Sequence, residues 1–108
     1  MPESTDRGAL TEAVFYILVA LHRPMHGYGI MQFVRELSKD RVNLGPGTLY
    51  GAITTLLEKG WIAAVGNGDS RKKEYEITAK GREVVREELA RLQELVETGQ
   101  TVMGGGER

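Results

Sequence analysis

A mainly α domain of the α+β class, with one small antiparallel ribbon, is what this chain predicts, and three features carry that expectation. Residues 44–60, LGPGTLYGAITTLLEKG, hold a helix with a sharp start and a sharp stop. Residues 61–78 hold two strand-like runs joined by Asn67-Gly68, a pair that tolerates the positive φ of a tight hairpin. Residues 79–98 return to helical periodicity, with Val85, Leu89, Leu92 and Val96 spaced four, three and four apart. A helix followed by a two-stranded ribbon is the layout of a winged helix-turn-helix. The helix can enter a DNA groove while the ribbon tip lies over the neighbouring backbone.

The first helix is expected over residues 10–21. Leu10, Val14, Phe15, Ile17, Leu18 and Leu21 sit on more than one face of it, so it should be buried nearly all round. Either a dimer interface or a central core position satisfies that. Pro24 ends it, because the ring removes a donor and restricts the preceding residue. A second helix follows over 26–38, with Tyr28, Ile30, Met31, Val34 and Leu37 as its apolar side. Gly27 and Gly29 near its start each cost about 1 kcal/mol relative to alanine. Close approach by another helix or by a phosphate at the helix N-terminus would explain them.

Residues 40–45 connect to the third helix, where Pro46 occupies a first-turn position in which its missing N–H costs nothing. Leu49, Ile53, Leu56 and Leu57 form the buried stripe, and Gly60 stops the helix. Trp61 opens the first strand. On the return strand Lys73, Tyr75 and Ile77 share one face and Glu74 and Glu76 the other. The division is then a loose N-terminus at 1–9, a winged helix-turn-helix at 10–78, a C-terminal dimerisation helix at 79–98 and a disordered tail at 99–108.

Charge and composition narrow the function. With no cysteine, disulfide frameworks and cysteine-based metal or redox sites are excluded. The longest apolar run, residues 13–21, is half of what a membrane span needs, so a cytoplasmic protein is expected. A net charge of −1 argues against a protein that coats nucleic acid indiscriminately. Yet residues 67–82 carry five cations against three anions, while residues 1–66 balance and 83–108 are acidic. The basic island falls on the wing, where Arg71, Lys72 and Lys73 would meet phosphate, with Lys80 as a further candidate.

On the third helix Thr48, Tyr50, Thr54 and Thr55 point off the buried stripe, and their hydroxyls can serve phosphates or base edges. Tyr50 can equally pack inward. No arginine or lysine projects from residues 46–58, so bidentate reading of guanine is not expected and shape should contribute to specificity. Gly27 and Tyr28 offer a backbone N–H and a hydroxyl to phosphate, or else pack in the ordinary way. His22 and His26 are four apart, but Pro24 lies between them and no third ligand is evident, so no metal and no cofactor is expected. No triad, phosphate-cradling loop or acid pair is present, and an enzyme is not expected.

Three stretches in order, HGYGI at 26–30, LGPGTLYGAITTLLEKGWI at 44–62 and KKEYEITAKGREVV at 72–85, resemble the PadR family of bacterial transcriptional regulators. The family commonly has a proline where this chain has Gly51 and an acidic residue where it has Gly29. With one C-terminal helix, the chain resembles the short subgroup. The resemblance implies a homodimer built on the first and last helices, for which Leu10, Val14, Phe15, Leu18, Val85, Leu89, Leu92 and Val96 are the candidate interface. It also implies repression at a roughly palindromic duplex operator, often released by a small aromatic or phenolic molecule. A winged-helix module that binds protein and not DNA is the competing reading, favoured by the near-neutral charge and the third helix without cations.

Overall fold

The computed structural model describes residues 8–66 and 73–105. Four helices and one two-stranded sheet follow in the order α1 (Glu12–Ala20), α2 (Gly27–Leu37), α3 (Pro46–Lys59), β1 (Ile62–Val65), β2 (Glu74–Ile77) and α4 (Ala79–Gly105). This is the mainly α, winged arrangement that the sequence predicts. The Asn67-Gly68 turn and the wing residues Arg71 and Lys72 lie outside the described residues. No helix among those described is long and apolar enough to cross a membrane.

Local chemistry explains where each element begins. Thr11 caps α1 by accepting the Val14 N–H at 3.1 Å, and Glu12 adds a carboxylate to the positive end of the helix. The helix starts two residues later than expected, leaving Leu10 as a half-buried lead-in. Gly60 closes α3 in the left-handed conformation at φ 77°, which alanine would adopt only under strain. Met25 forms an isolated antiparallel bridge with Tyr75 of β2. The Tyr75 N–H donates to the Met25 carbonyl at 2.8 Å, and the Met25 N–H returns a bond to Tyr75 at 3.1 Å. In the sheet itself Ile62 pairs with Ile77 and Ala64 with Tyr75.

The core is built from Ile17, Leu18 and Leu21 of the first helical segment, Ile30 and Val34 of α2, and Leu49, Ile53 and Leu56 of α3. Trp61, Ile62, Tyr75, Ile77, Val84 and Val85 close it from the sheet and α4. Three expected core positions sit instead at the edge: Tyr28 is 65% exposed, Leu37 40% and Leu57 37%. Tyr28 lies on the side of α2 away from Ile30 and Val34, Leu37 is the last residue of that helix, and Leu57 lies beside the buried stripe of α3. Nor is α1 buried all round within one subunit, since Val14, Phe15, Tyr16 and Val19 keep part of their surface.

Ser38 is a buried polar group within this core. Its hydroxyl oxygen accepts the Val42 N–H at 2.9 Å and lies 3.4 Å from the carbonyls of Arg35 and Val42. It thereby anchors the turn between α2 and α3, in which Lys39 and Asp40 both take left-handed conformations. Ser38→Ala removes the acceptor of a shielded N–H and is expected to cost about 1–2 kcal/mol in a denaturant titration. Unchanged stability would show that water reaches Val42.

The last helix runs seven residues past the expected boundary at Thr98. Propagation adds one hydrogen bond per residue, so a single interior Gly99 costs only about 1 kcal/mol and does not end it. At 27 residues α4 is about 40 Å long, and it stretches the molecule to 61 Å in its longest dimension. The radius of gyration, 16.2 Å, exceeds the roughly 13 Å of a compact chain this size because the second half of α4 leaves the globule.

Candidate nucleic-acid interface

The outward side of α3 is the surface on which the expected reading residues converge. With Leu49, Ile53 and Leu56 turned inward, the opposite side exposes Gly47, Thr48, Gly51, Thr54, Thr55 and Glu58. Successive residues advance about 100° around a helix, so Gly47, Gly51, Thr54 and Glu58 lie most directly opposite the core. Thr48 and Thr55 flank them on one side, Tyr50 and Leu57 on the other. The two glycines have no neighbour near the place a β-carbon would occupy, so the middle of this face is bare backbone open to a large partner. The Thr54 hydroxyl donates to the Tyr50 carbonyl at 3.0 Å, so it faces a partner as an acceptor.

Tyr50 resolves the alternative the sequence leaves open. Its ring leans onto α2, with the phenol oxygen over the backbone of Gly27, although the residue remains 46% exposed. That corrects the expectation for Gly27. It is buried beneath Tyr50, and the close neighbour requiring a glycine there is this ring. Gly29 has only ordinary contacts with Met25 and His26. Tyr28 next to it stands free at the surface.

The two helices of the turn motif differ from α1 at their starts. His26 and Gly45 provide no side-chain cap, and neither α2 nor α3 has an acidic residue in its first turn. The leading N–H groups of α3 therefore have no side-chain acceptor of their own, while the start of α2 is partly covered by the Tyr50 ring. Lys73 is exposed at the entrance of β2, and Lys80 is exposed in the first turn of α4. Lys59, at the end of α3, sits over the Trp61 ring at 5.1 Å and stabilises the corner where helix becomes strand.

The residues expected at a subunit interface separate into two groups. Leu18 and Val85 lie in the subunit's own core, at 0% and 5% exposure, and have no surface to offer a second copy. Their apolar spacing is that of the core-facing stripe. Leu10, Val14, Phe15 and Leu92 are half-buried, while Leu89 and Val96 are each 50% exposed.

Three structural residues escape a reading of periodicity. Glu88, at 3% exposure, is buried between Val85 and Leu92 on the inner side of α4. Arg91 grips its carboxylate through Nε at 3.0 Å and Nη2 at 2.5 Å, and the Leu10 N–H points to it at 3.4 Å. Its spacing of four from Val84 and three from Val85 is the available signal. Thr78 caps α4, accepting the Gly81 N–H at 3.0 Å while donating to the Gly60 carbonyl at 2.7 Å. Gly81 is pressed against the Trp61 carbonyl. Among the described residues no group of three or more His, Asp or Glu could hold a metal ion.

Comparison with known proteins converges on one family. The model of the transcriptional regulator PadR-like family matches residues 15–87, from α1 into α4. A 37.1 kDa uncharacterized protein in transposon TN4556 of Streptomyces fradiae is 35% identical over 85 residues. That match covers 75% of the chain, which spans about a quarter (24%) of that curated relative. A transcriptional regulator from Clostridium thermocellum superposes with a TM-score of 0.72 at 20% identity, covering 94% of this chain and 96% of that one. A PadR family regulator from Eggerthella lenta gives 0.67 at 27% identity, covering 83% and 80%. With the family model spanning the whole winged motif, the chain belongs to the PadR-like family of transcriptional regulators.

Proposed function

We propose that the chain is a dimeric, sequence-specific repressor that seats α3 in the major groove of a roughly palindromic operator and is released by a small aromatic or phenolic molecule. The observation that carries DNA binding is the outward side of α3: hydroxyl-bearing, bare at its centre, and preceded by helix starts with no cap of their own. Thr48 and Thr55 meet base edges or phosphates, and Thr54, its proton held by the Tyr50 carbonyl, accepts from a base amino group. Tyr28, Lys73, Lys80 and the wing cations Arg71 and Lys72 hold the backbone. Two such helices in a dimer should lie about 34 Å apart to enter successive major grooves.

Fluorescence polarisation against the DNA flanking the chain's own gene, across a series of salt concentrations, tests this. Affinity that falls steeply with salt and exceeds that for scrambled duplex is the expected result. Replacing Arg71, Lys72 and Lys73 together by alanine should weaken binding to every sequence and reduce the salt slope by about three per subunit, roughly five to six for the dimer. An unchanged slope would remove the wing from the interface. A protein-binding role is favoured by the outward side of α3, whose one ionised residue is the anionic Glu58. Absent or salt-insensitive DNA binding by an intact dimer would establish it instead.

A further inference from the structure

The reading helix is held by a contact that neither the hydrophobic core nor a DNA surface requires. Tyr50 stands at the shoulder between the buried stripe of α3 and its outward side. Its phenol oxygen, Cζ and Cε1 fill the space where Gly27 would carry a β-carbon. Gly27 is the first residue of α2 and is buried by this ring. Tyr75 of β2 is 8% exposed, and its pKa is raised by burial and further by the neighbouring Tyr50. Tyr75 in turn exchanges two backbone hydrogen bonds with Met25, two residues ahead of Gly27. The start of α2 and the second turn of α3 therefore meet around one side chain, and β2 is tied by its backbone to the residue two positions ahead of that contact.

We infer that Tyr50 seated on Gly27 is a latch that fixes the angle of the reading helix against α2, making Tyr50 a positioning residue and not a base reader. The DNA consequence rests on the proposed operator binding; the latch itself does not. A ring lying on bare backbone permits a closer approach of the two helices than any side chain at position 27 would allow. A methyl group there meets the far end of a flexible side chain, so it displaces the phenol and leaves the fold standing. The displaced ring would swing toward the outward side of α3, the surface offered to the groove. Alanine at position 27 should therefore damage DNA binding far more than folding.

A double-mutant cycle tests the latch. Gly27→Ala and Tyr50→Leu are each expected to weaken operator binding about 10-fold, with the melting temperature falling by only a few degrees. The double variant should bind no worse than Tyr50→Leu alone, because the ring that the added methyl would displace is gone. Tyr50→Phe keeps the ring on Gly27 and should stay within about 3-fold of wild type. Additive losses, or a loss of 10-fold or more in Tyr50→Phe, would overturn the latch and place the hydroxyl on DNA. The same four proteins are also compared without DNA, by melting and by amide hydrogen exchange in the first turns of α2 and α3. Faster exchange in Gly27→Ala that is not increased further in the double variant supports the latch even if the chain binds no DNA. Additive or absent changes there refute the latch and leave the operator reading standing.

Discussion

Gly81→Ala is expected to destabilise the subunit by about 2–3 kcal/mol and to lower the melting temperature by on the order of 10 °C. The added methyl would overlap the carbonyl oxygen of Trp61 and press on Cγ1 of Ile77 at 2.7 Å. Neither end of the Trp61 clash can rotate away. The Trp61 carbonyl already accepts the Thr78 N–H at 3.0 Å, and the Gly81 N–H is bound to the Thr78 hydroxyl. Those bonds fix the start of α4 against the end of α3, and separating the two helices would break them. Helix propensity alone favours alanine by about 1 kcal/mol, so packing has to outweigh it for the expected sign to appear. Gly51→Ala is the control. Gly51 also lies inside a helix, with open space around it, and alanine there should stabilise by about 0.5–1 kcal/mol. Equal behaviour of the two variants would show that the Trp61–Gly81 contact carries no weight.

These two glycines also show which features were legible in the chain. Signals that act within a few residues could be read directly: Pro46 and Gly60 bound α3 to the residue, and the alternation of residues 73–77 places Tyr75 and Ile77 inward. Features that depend on a distant partner could not. Gly81 looks like an ordinary helix glycine because its partner is the Trp61 backbone, and Gly27 fits a phosphate or a packed neighbour equally until Tyr50 is seen to cover it. Periodicity also states only that an apolar stripe is buried, not by what. Val85 and Leu89 belong to one 4-3-4 repeat, yet one faces its own core and the other faces outward. Glu88 fails for the reverse reason: a carboxylate reads as a surface residue unless its partners, Arg91 and the Leu10 N–H, are known. At the candidate site, the exposed threonines of α3 follow from the helical wheel. The roles of Tyr50 and Gly27 required the packing of α2 on α3.

In the dimer proposed above, Val96→Asp is expected to give monomers and to lower affinity for the proposed operator about 100-fold. Leu95 at 54%, Val96 at 50%, Val102 at 68% and Met103 at 78% lie along the half of α4 that extends beyond the globule, and Leu89, at 50%, stands just before it. A helical segment with no tertiary contacts is marginal in water, and such a continuous apolar strip calls for a partner. Residues 89, 92, 96, 99 and 103 keep the alternating three-four spacing of a helix–helix seam, with Gly99 allowing close approach. A second copy supplies the same stripe and satisfies both at once. A charge in that seam would be buried without a partner in the dimer but fully solvated in the monomer, so dissociation is favoured. The monomer loses the gain from engaging two half-sites together, a factor of about 100 or more. Val85→Ala should do the opposite, lowering the melting temperature while leaving the dimer intact, because Val85 is spent on the subunit's own core. Sedimentation equilibrium separates the two cases. A Val96→Asp protein that remained dimeric would show that the subunits meet elsewhere, through the half-buried edge of α1.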